Sequence, residues 1–239
     1  DGLTKDISGT GEINFESLIE CGPDVLLVYP FGFENEAKYS EAGVQCFPIA
    51  EYLEDHPLGK AEWIKVIGFL LNDLDNANKI YSQMEELYLA EVQQVTDGEK
   101  PTVFTGSYSG GQWFAPGANT FMAQFIRDAG GEYLFEDKKT SENIQLSFEE
   151  LYIKALDADY WGKIIYEPGN LTLDQLAAND DRFTKLKSFQ EKQVFYCNVA
   201  ETDYFGMAVL EPHLILKDLK RILHDEPSEI HYFKLIDQE

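Results

Sequence analysis

Four histidines (His56, His213, His224, His231) and three cysteines (Cys21, Cys46, Cys197) are the side chains from which a nucleophilic or metal-dependent site would be built. Their spacing builds neither. No Gly-x-Ser-x-Gly elbow occurs, and no histidine stands beside a candidate serine or cysteine in a recognisable motif. There is no His-x-x-x-His, no Cys-x-x-Cys and no calcium loop. The pair Asp180-Asp181 reads as a solvated turn, and His56 before Pro57 as a loop residue. Residues 106–117 are glycine-containing but lack the Gly-Lys-Ser/Thr of a phosphate loop. They read as strand, turn, strand, a pattern that lets backbone approach a ligand or form a hairpin. No catalytic residue, metal or cofactor is therefore assigned. Cys21 and Cys46 could pair in an oxidising compartment, but the odd count favours buried free thiols.

What remains is aromatic. Tyr29 and Phe31 leave the end of one apolar run, Tyr108 and Trp113 flank the glycine turn, Tyr166 leaves another run, and Asp203-Tyr204 follows a fourth. Ligands of open α/β sheets bind outside the carboxyl ends of the strands. Aromatic rings placed there supply contact area together with a polar handle. Tyr29, Phe31, Tyr108, Trp113, Tyr166, Asp203 and Tyr204 are accordingly the candidate ligand-binding residues.

The elements that must position them follow from periodicity. Residues 25–29, after Gly22-Pro23-Asp24, form a short apolar run of the buried parallel-strand type. A helical stretch and a second strand at 44–49 follow, which is the α/β signature. From Leu74, apolar residues recur at steps of three or four (Ala77, Tyr81, Met84, Tyr88, Val92, Val95), predicting a helix of about 24 residues and roughly 36 Å that stops before Gly98. Strands are expected at 102–105, 162–166 and 194–197. Helices are expected at 120–129, 148–156 and 212–223, the last with Lys217, Lys220 and Arg221 serving its C-terminal dipole. One internal echo appears. Asn14-Phe15-Glu16 leads through Pro23-Asp24 to a strand, and Ser147-Phe148-Glu149 leads through Ala158-Asp159 to another. Each reads as a capped helix, an aspartate turn and a parallel strand.

The expected fold class is α/β: two lobes with mostly parallel sheets bridged by a single long helix. The lobes are residues 1–72 and 98–239, with 73–97 as the bridge. The 239 residues suffice to bury a core without disulfides. A net charge of −24, spread over both halves, argues against nucleic acid and anionic lipid as partners. No stretch approaches the ~18 apolar residues of a membrane span, so no membrane insertion is expected of this segment.

The pattern resembles the class III periplasmic binding proteins, which serve bacterial ABC importers of ferric siderophores, haem and cobalamin. The resemblance lies in Asn14-Phe15-Glu16 with Pro23-Asp24-Val25-Leu26-Leu27-Val28; in His56-Pro57-Leu58-Gly59-Lys60-Ala61-Glu62-Trp63-Ile64-Lys65; in Pro116-Gly117 through Asp128-Ala129-Gly130-Gly131-Glu132-Tyr133; and in Asp203-Tyr204-Phe205 through Pro212-His213 to Leu219. It implies a non-catalytic, periplasmic or otherwise extracytoplasmic protein, lipid-anchored in some members, that carries an iron complex or a corrinoid to an ABC permease. It also implies that one glutamate on each lobe docks onto permease arginines, and these positions fall on Glu16 and Glu149. Two departures stand out: the strand–helix–strand that usually precedes the position of Asp1 is absent, so the first lobe is expected to be truncated, and His213 replaces an acid. A secreted α/β hydrolase with a spatially assembled site, and a divalent-metal-binding protein on the same scaffold, are the alternatives.

Overall fold

The computed structural model describes residues 14–30, 36–93, 98, 100–225 and 229–236. The chain divides into two compact units, residues 1–51 and 52–239.

In the first unit, helix α1 (Phe15–Cys21) begins where the Asn14 side chain accepts the Ser17 N–H at 3.0 Å. It ends at Gly22, whose φ of 58° is left-handed. Strand β1 (Val25–Val28), helix α2 (Glu36–Glu41) and strand β2 (Gln45–Pro48) follow. The strands are parallel, with Val25 opposite Gln45. The core is Leu18, Tyr39 and Val44, with Phe15, Leu26 and Cys46 around it. The expected fully buried strand is not found here: β1 is half-buried at Val25, Leu26 and Val28 and exposed at Leu27. The two strands and two short helices among the described residues of this unit present too little apolar surface to enclose it.

The second unit opens with three helices, α3 (Pro57–Glu62), α4 (Ile64–Leu70) and α5 (Leu74–Val92). His56 is the cap of α3 rather than a loop residue, its Nδ1 accepting the Leu58 N–H at 3.1 Å. Helix α5 buries Ala77, Tyr81, Met84 and Tyr88 as the spacing predicts. Its 19 described residues, to Val92, run about 28 Å, and Val95 lies outside the described residues. Against α4 the approach is close: a Cβ on Gly68 would stand 2.4 Å from that of Ala77.

The chain continues through β3 (Thr102–Thr105), β4 (Ser107–Ser109), β5 (Gln112–Pro116), α6 (Phe121–Asp128), β6 (Glu132–Tyr133), β7 (Asn143–Ser147) and α7 (Phe148–Ala155). Then come β8 (Tyr160–Ile165), α8 (Leu173–Asn179), α9 (Lys187–Gln190), β9 (Val194–Asn198), α10 (Met207–Leu210), α11 (Pro212–His224) and β10 (Lys234–Leu235). The central sheet runs β10-β9-β8-β3-β6, parallel except for β10. Strands β4, β5 and β7 form a separate antiparallel sheet. Phe104 and Trp161 stack at 5.7 Å between centroids, and Phe183 lies 5.0 Å from Trp161. Such ring pairs contribute about 0.5–1.5 kcal/mol each beyond their burial.

Three local expectations are corrected by packing. Lys220 and Arg221 do not serve the exposed end of α11. The Lys220 ammonium is buried against Glu91 of α5, 3.1 Å from its carbonyl and 3.2 Å from its carboxylate, and Arg221 donates to the Phe233 carbonyl at 2.7 Å. Asp180 is not a solvated turn residue, because it takes a two-point contact from Arg182 at 2.9 and 2.6 Å. The cysteines are all free, but only Cys197 is buried; Cys21 is exposed and Cys46 half-buried.

Candidate ligand-binding site

The carboxyl ends of β3 and β8 open onto a cavity of about 190 Å³ within the second unit. Two glycines shape it. Gly106, at φ 129°, carries the chain from β3 into β4 so close to β5 that a Cβ would stand 2.3 Å from the Phe114 carbonyl. Gly162, in β8, leaves room for the Phe195 ring, which a Cβ would meet at 2.4 Å. The walls come from Pro116 at the end of β5, Phe121 and Met122 at the start of α6, and Phe195 of β9. Tyr204, Phe205 and Phe233 complete them. Phe205 and Ile164 also remain exposed, at 67% and 41%, so the apolar lining continues outward as a rim.

Few polar groups break this apolar setting. The Tyr204 hydroxyl is buried without a hydrogen-bond partner among the described residues, and burial raises its pKa, which keeps the phenol a proton donor. Lys163 is the one charged residue among the described lining, and its side chain leaves β8 on the face opposite Gly162 and Ile164. Burial pushes its ammonium down to about 8, and the ammonium lies 5.0 Å from the Trp161 ring centre and 6.0 Å from that of Trp113.

Of the residues selected from sequence, the cavity gathers Tyr204. Trp113 is 0% exposed, packed on Phe104 and Trp161 with its Nε1 donating to the Thr105 carbonyl at 3.2 Å, so it supports the wall from behind. Tyr108 is half-buried between Phe148 and Phe183 and accepts a hydrogen bond from Arg182. Asp203 is exposed and accepts the Met207 N–H at 3.0 Å, which caps the turn that carries Tyr204. Tyr166 is 81% exposed and outside the lining. Tyr29, in the first unit, donates to Glu51 at 3.2 Å; burial, then the Glu51 charge, raises its pKa. Phe31 lies outside the described residues.

Glu16 and Glu149 occupy the same second position of α1 and α7, and both are exposed. The nearest cation to Glu149 is Arg182, at 3.8 Å. Among the described residues no group of three or more His, Cys, Asp or Glu side chains is placed to hold a metal ion. His224 meets the Ala129 carbonyl and His231 meets Asp218, so neither contact offers a nucleophile.

Residues 3–200 match the family described as periplasmic binding protein. The chain belongs to the periplasmic binding protein family. This is a family of binding proteins, not of enzymes. An uncharacterized lipoprotein of Methanocaldococcus jannaschii is 28% identical over 98% of the chain, and the chain spans 56% of that relative's length. Among solved structures, a possible iron-binding (periplasmic solute-binding) protein of Staphylococcus epidermidis superposes with a TM-score of 0.68 at 17% identity, covering 94% of this chain and 87% of that one. The apo periplasmic haem-binding protein RhuT of Roseiflexus gives 0.69 at 18% identity, covering 90% and 80%. At these identities the likeness is one of fold. No helix among the described residues is long and apolar enough to cross a membrane.

Proposed function

We propose that this chain is the solute-binding part of an ABC importer whose cargo is an iron complex, haem or a ferric siderophore, or a corrinoid. The observation that carries the reading is the aromatic-walled cavity at the carboxyl ends of β3 and β8 in a chain of this family. At about 190 Å³ it encloses part of such a ligand, and the exposed Ile164 and Phe205 extend the contact surface. Tyr204 is the residue of the aromatic set that meets cargo directly; Tyr29, Phe31, Tyr108 and Tyr166 are further contact candidates. Titration of the purified chain with haem, a ferric siderophore and cyanocobalamin, followed by tryptophan fluorescence, should give saturable quenching with at least one. Failure with all three would overturn the assignment.

Glu16 and Glu149 present the loaded protein to the permease. Each surface pair is worth only ~0–1 kcal/mol but fixes orientation. In the full-length protein, Glu16→Arg with Glu149→Arg should abolish uptake through the reconstituted permease and leave ligand affinity unchanged; intact uptake would refute the docking role. A site outside the cytoplasm, with a lipid anchor on the whole protein, fits the lipoprotein name of the relative. In the same reading residues 73–97 are the rigid link between lobes 1–72 and 98–239. An unchanged radius of gyration on ligand addition is expected, and a contraction would count against a rigid link.

A further inference from the structure

The cavity at the carboxyl ends of β3 and β8 offers a ligand carbon and little else. Thr105 and Tyr204 line it, but their hydroxyl oxygens are buried in the wall. The described lining holds no carboxylate, and its one charged residue, Lys163, turns its ammonium toward Trp161 and Trp113, which lie outside the lining. Ser107 is the remaining polar residue, and it is exposed. A charged group entering this space would leave water and find no counter-charge, which is strongly unfavourable. Water itself finds too few polar partners here to be held firmly, so an apolar guest displaces it at little cost.

Size and wall geometry narrow the guest further. An apolar cavity of about 150 Å³ takes one benzene, and this one has about 190 Å³. Its wall is a run of aromatic rings set edge to face: Phe195 on Phe233 at 5.8 Å and 73°, Phe233 on Tyr204 at 5.7 Å and 88°, and Tyr204 on Phe205 at 5.2 Å and 78°. A further ring extends that array in the arrangement aromatic pairs prefer. Phe121 and Tyr204 also line a second cavity of about 20 Å³, together with Pro57 and Ile215. These two rings therefore part the two spaces and limit the larger one.

We infer that the cavity is a subsite for one uncharged, benzene-sized aromatic ring bearing at most a short apolar substituent, with Phe121 setting the size limit. The inference rests on the solute-binding reading for the source of the ring: it is an uncharged substituent of the cargo, whose charged parts stay outside.

The test titrates toluene into the full chain carrying 13C-methyl methionine, because Met122 lines the cavity. Toluene should bind saturably and give nuclear Overhauser contacts to the Met122 methyl group. Benzoate and benzylammonium, of similar shape but charged, should bind at least about 100-fold more weakly. Phe121→Ala should bind 1-methylnaphthalene at least about tenfold more tightly than the wild type does. Toluene contact with Met122 in the variant shows that it folds, and Phe121→Leu takes its place if it does not. No toluene binding, no contact with Met122, charged probes binding as well as toluene, or equal naphthalene affinity in both chains would each overturn the inference. If haem or cyanocobalamin binds in those cases, the solute-binding reading stands and only the subsite falls. Toluene seated on Met122 in a chain that binds none of the three cargoes would uphold the subsite and overturn that reading.

Discussion

Residues 14–28 and 147–165 are written in the same local code, yet they end in different environments. Each is a capped helix with a glutamate at its second position, then an aspartate turn, then a parallel strand. At α1 the cap is one-way, from the Ser17 N–H to Asn14. At α7 it is reciprocal, with Ser147 accepting the Glu150 N–H and Glu150 accepting from Ser147. Asp24 is exposed. Asp159 instead receives the Thr102 N–H at 2.7 Å, the Thr102 hydroxyl at 2.8 Å and the Lys187 ammonium at 2.6 Å. Among the described residues strand β1 has one partner strand and stays partly exposed, whereas β8 lies between β3 and β9 and is fully buried at Trp161. The difference teaches that the motif specifies a shape, while its stability comes from what is packed on it.

That contrast is widest between the two cores, and it can be broken there first. Trp161→Ala should cost about 3–5 kcal/mol of second-unit stability in denaturant titrations, while Leu18→Ala in the small first core should cost about 2 kcal/mol. Equal losses would mean that the two cores are not as unequal as they look. At the aspartate turns, Asp159→Asn should cost about 1–3 kcal/mol and Asp24→Asn close to nothing, by chemical denaturation. Burial alone would raise the Asp159 pKa, but Lys187 and Thr102 outweigh it and hold the carboxyl below its usual range. Its contribution is therefore present above the ordinary carboxylate pKa and lost as pH falls through the lowered value. Acid titration of wild type and Asp159→Asn should converge at low pH, and a gap that persists there would contradict the assignment.

The caps sharpen the comparison at a smaller scale. Ser147→Ala should lose about 1–2 kcal/mol and Asn14→Ala about 0.5–1 kcal/mol, read from the melting of each unit.

Much of the architecture was readable from spacing. The buried stripe of α5, the strands at β3, β8 and β9, and the hairpin around Gly110-Gly111 all follow from periodicity and glycine placement. The edge pieces β6 and β10, of two residues each, are too short to show a period, and β7 was not read as a strand. Among the aromatic candidates, Tyr204 meets the cavity and Trp113 stands behind it, a distinction invisible in sequence because either side of a strand exit can face inward.

The amino-acid order by itself determined local shape and family: caps, turns and apolar periods are contacts within a few residues, and they survive in any environment. Tertiary structure alone decided the roles of individual side chains. Lys220 became a buried tether, and Lys163 came to stand beside Trp113, because Glu91 and Trp113 come from distant segments. Burial and pairing are set by the sum of such distant contacts, which no local pattern encodes.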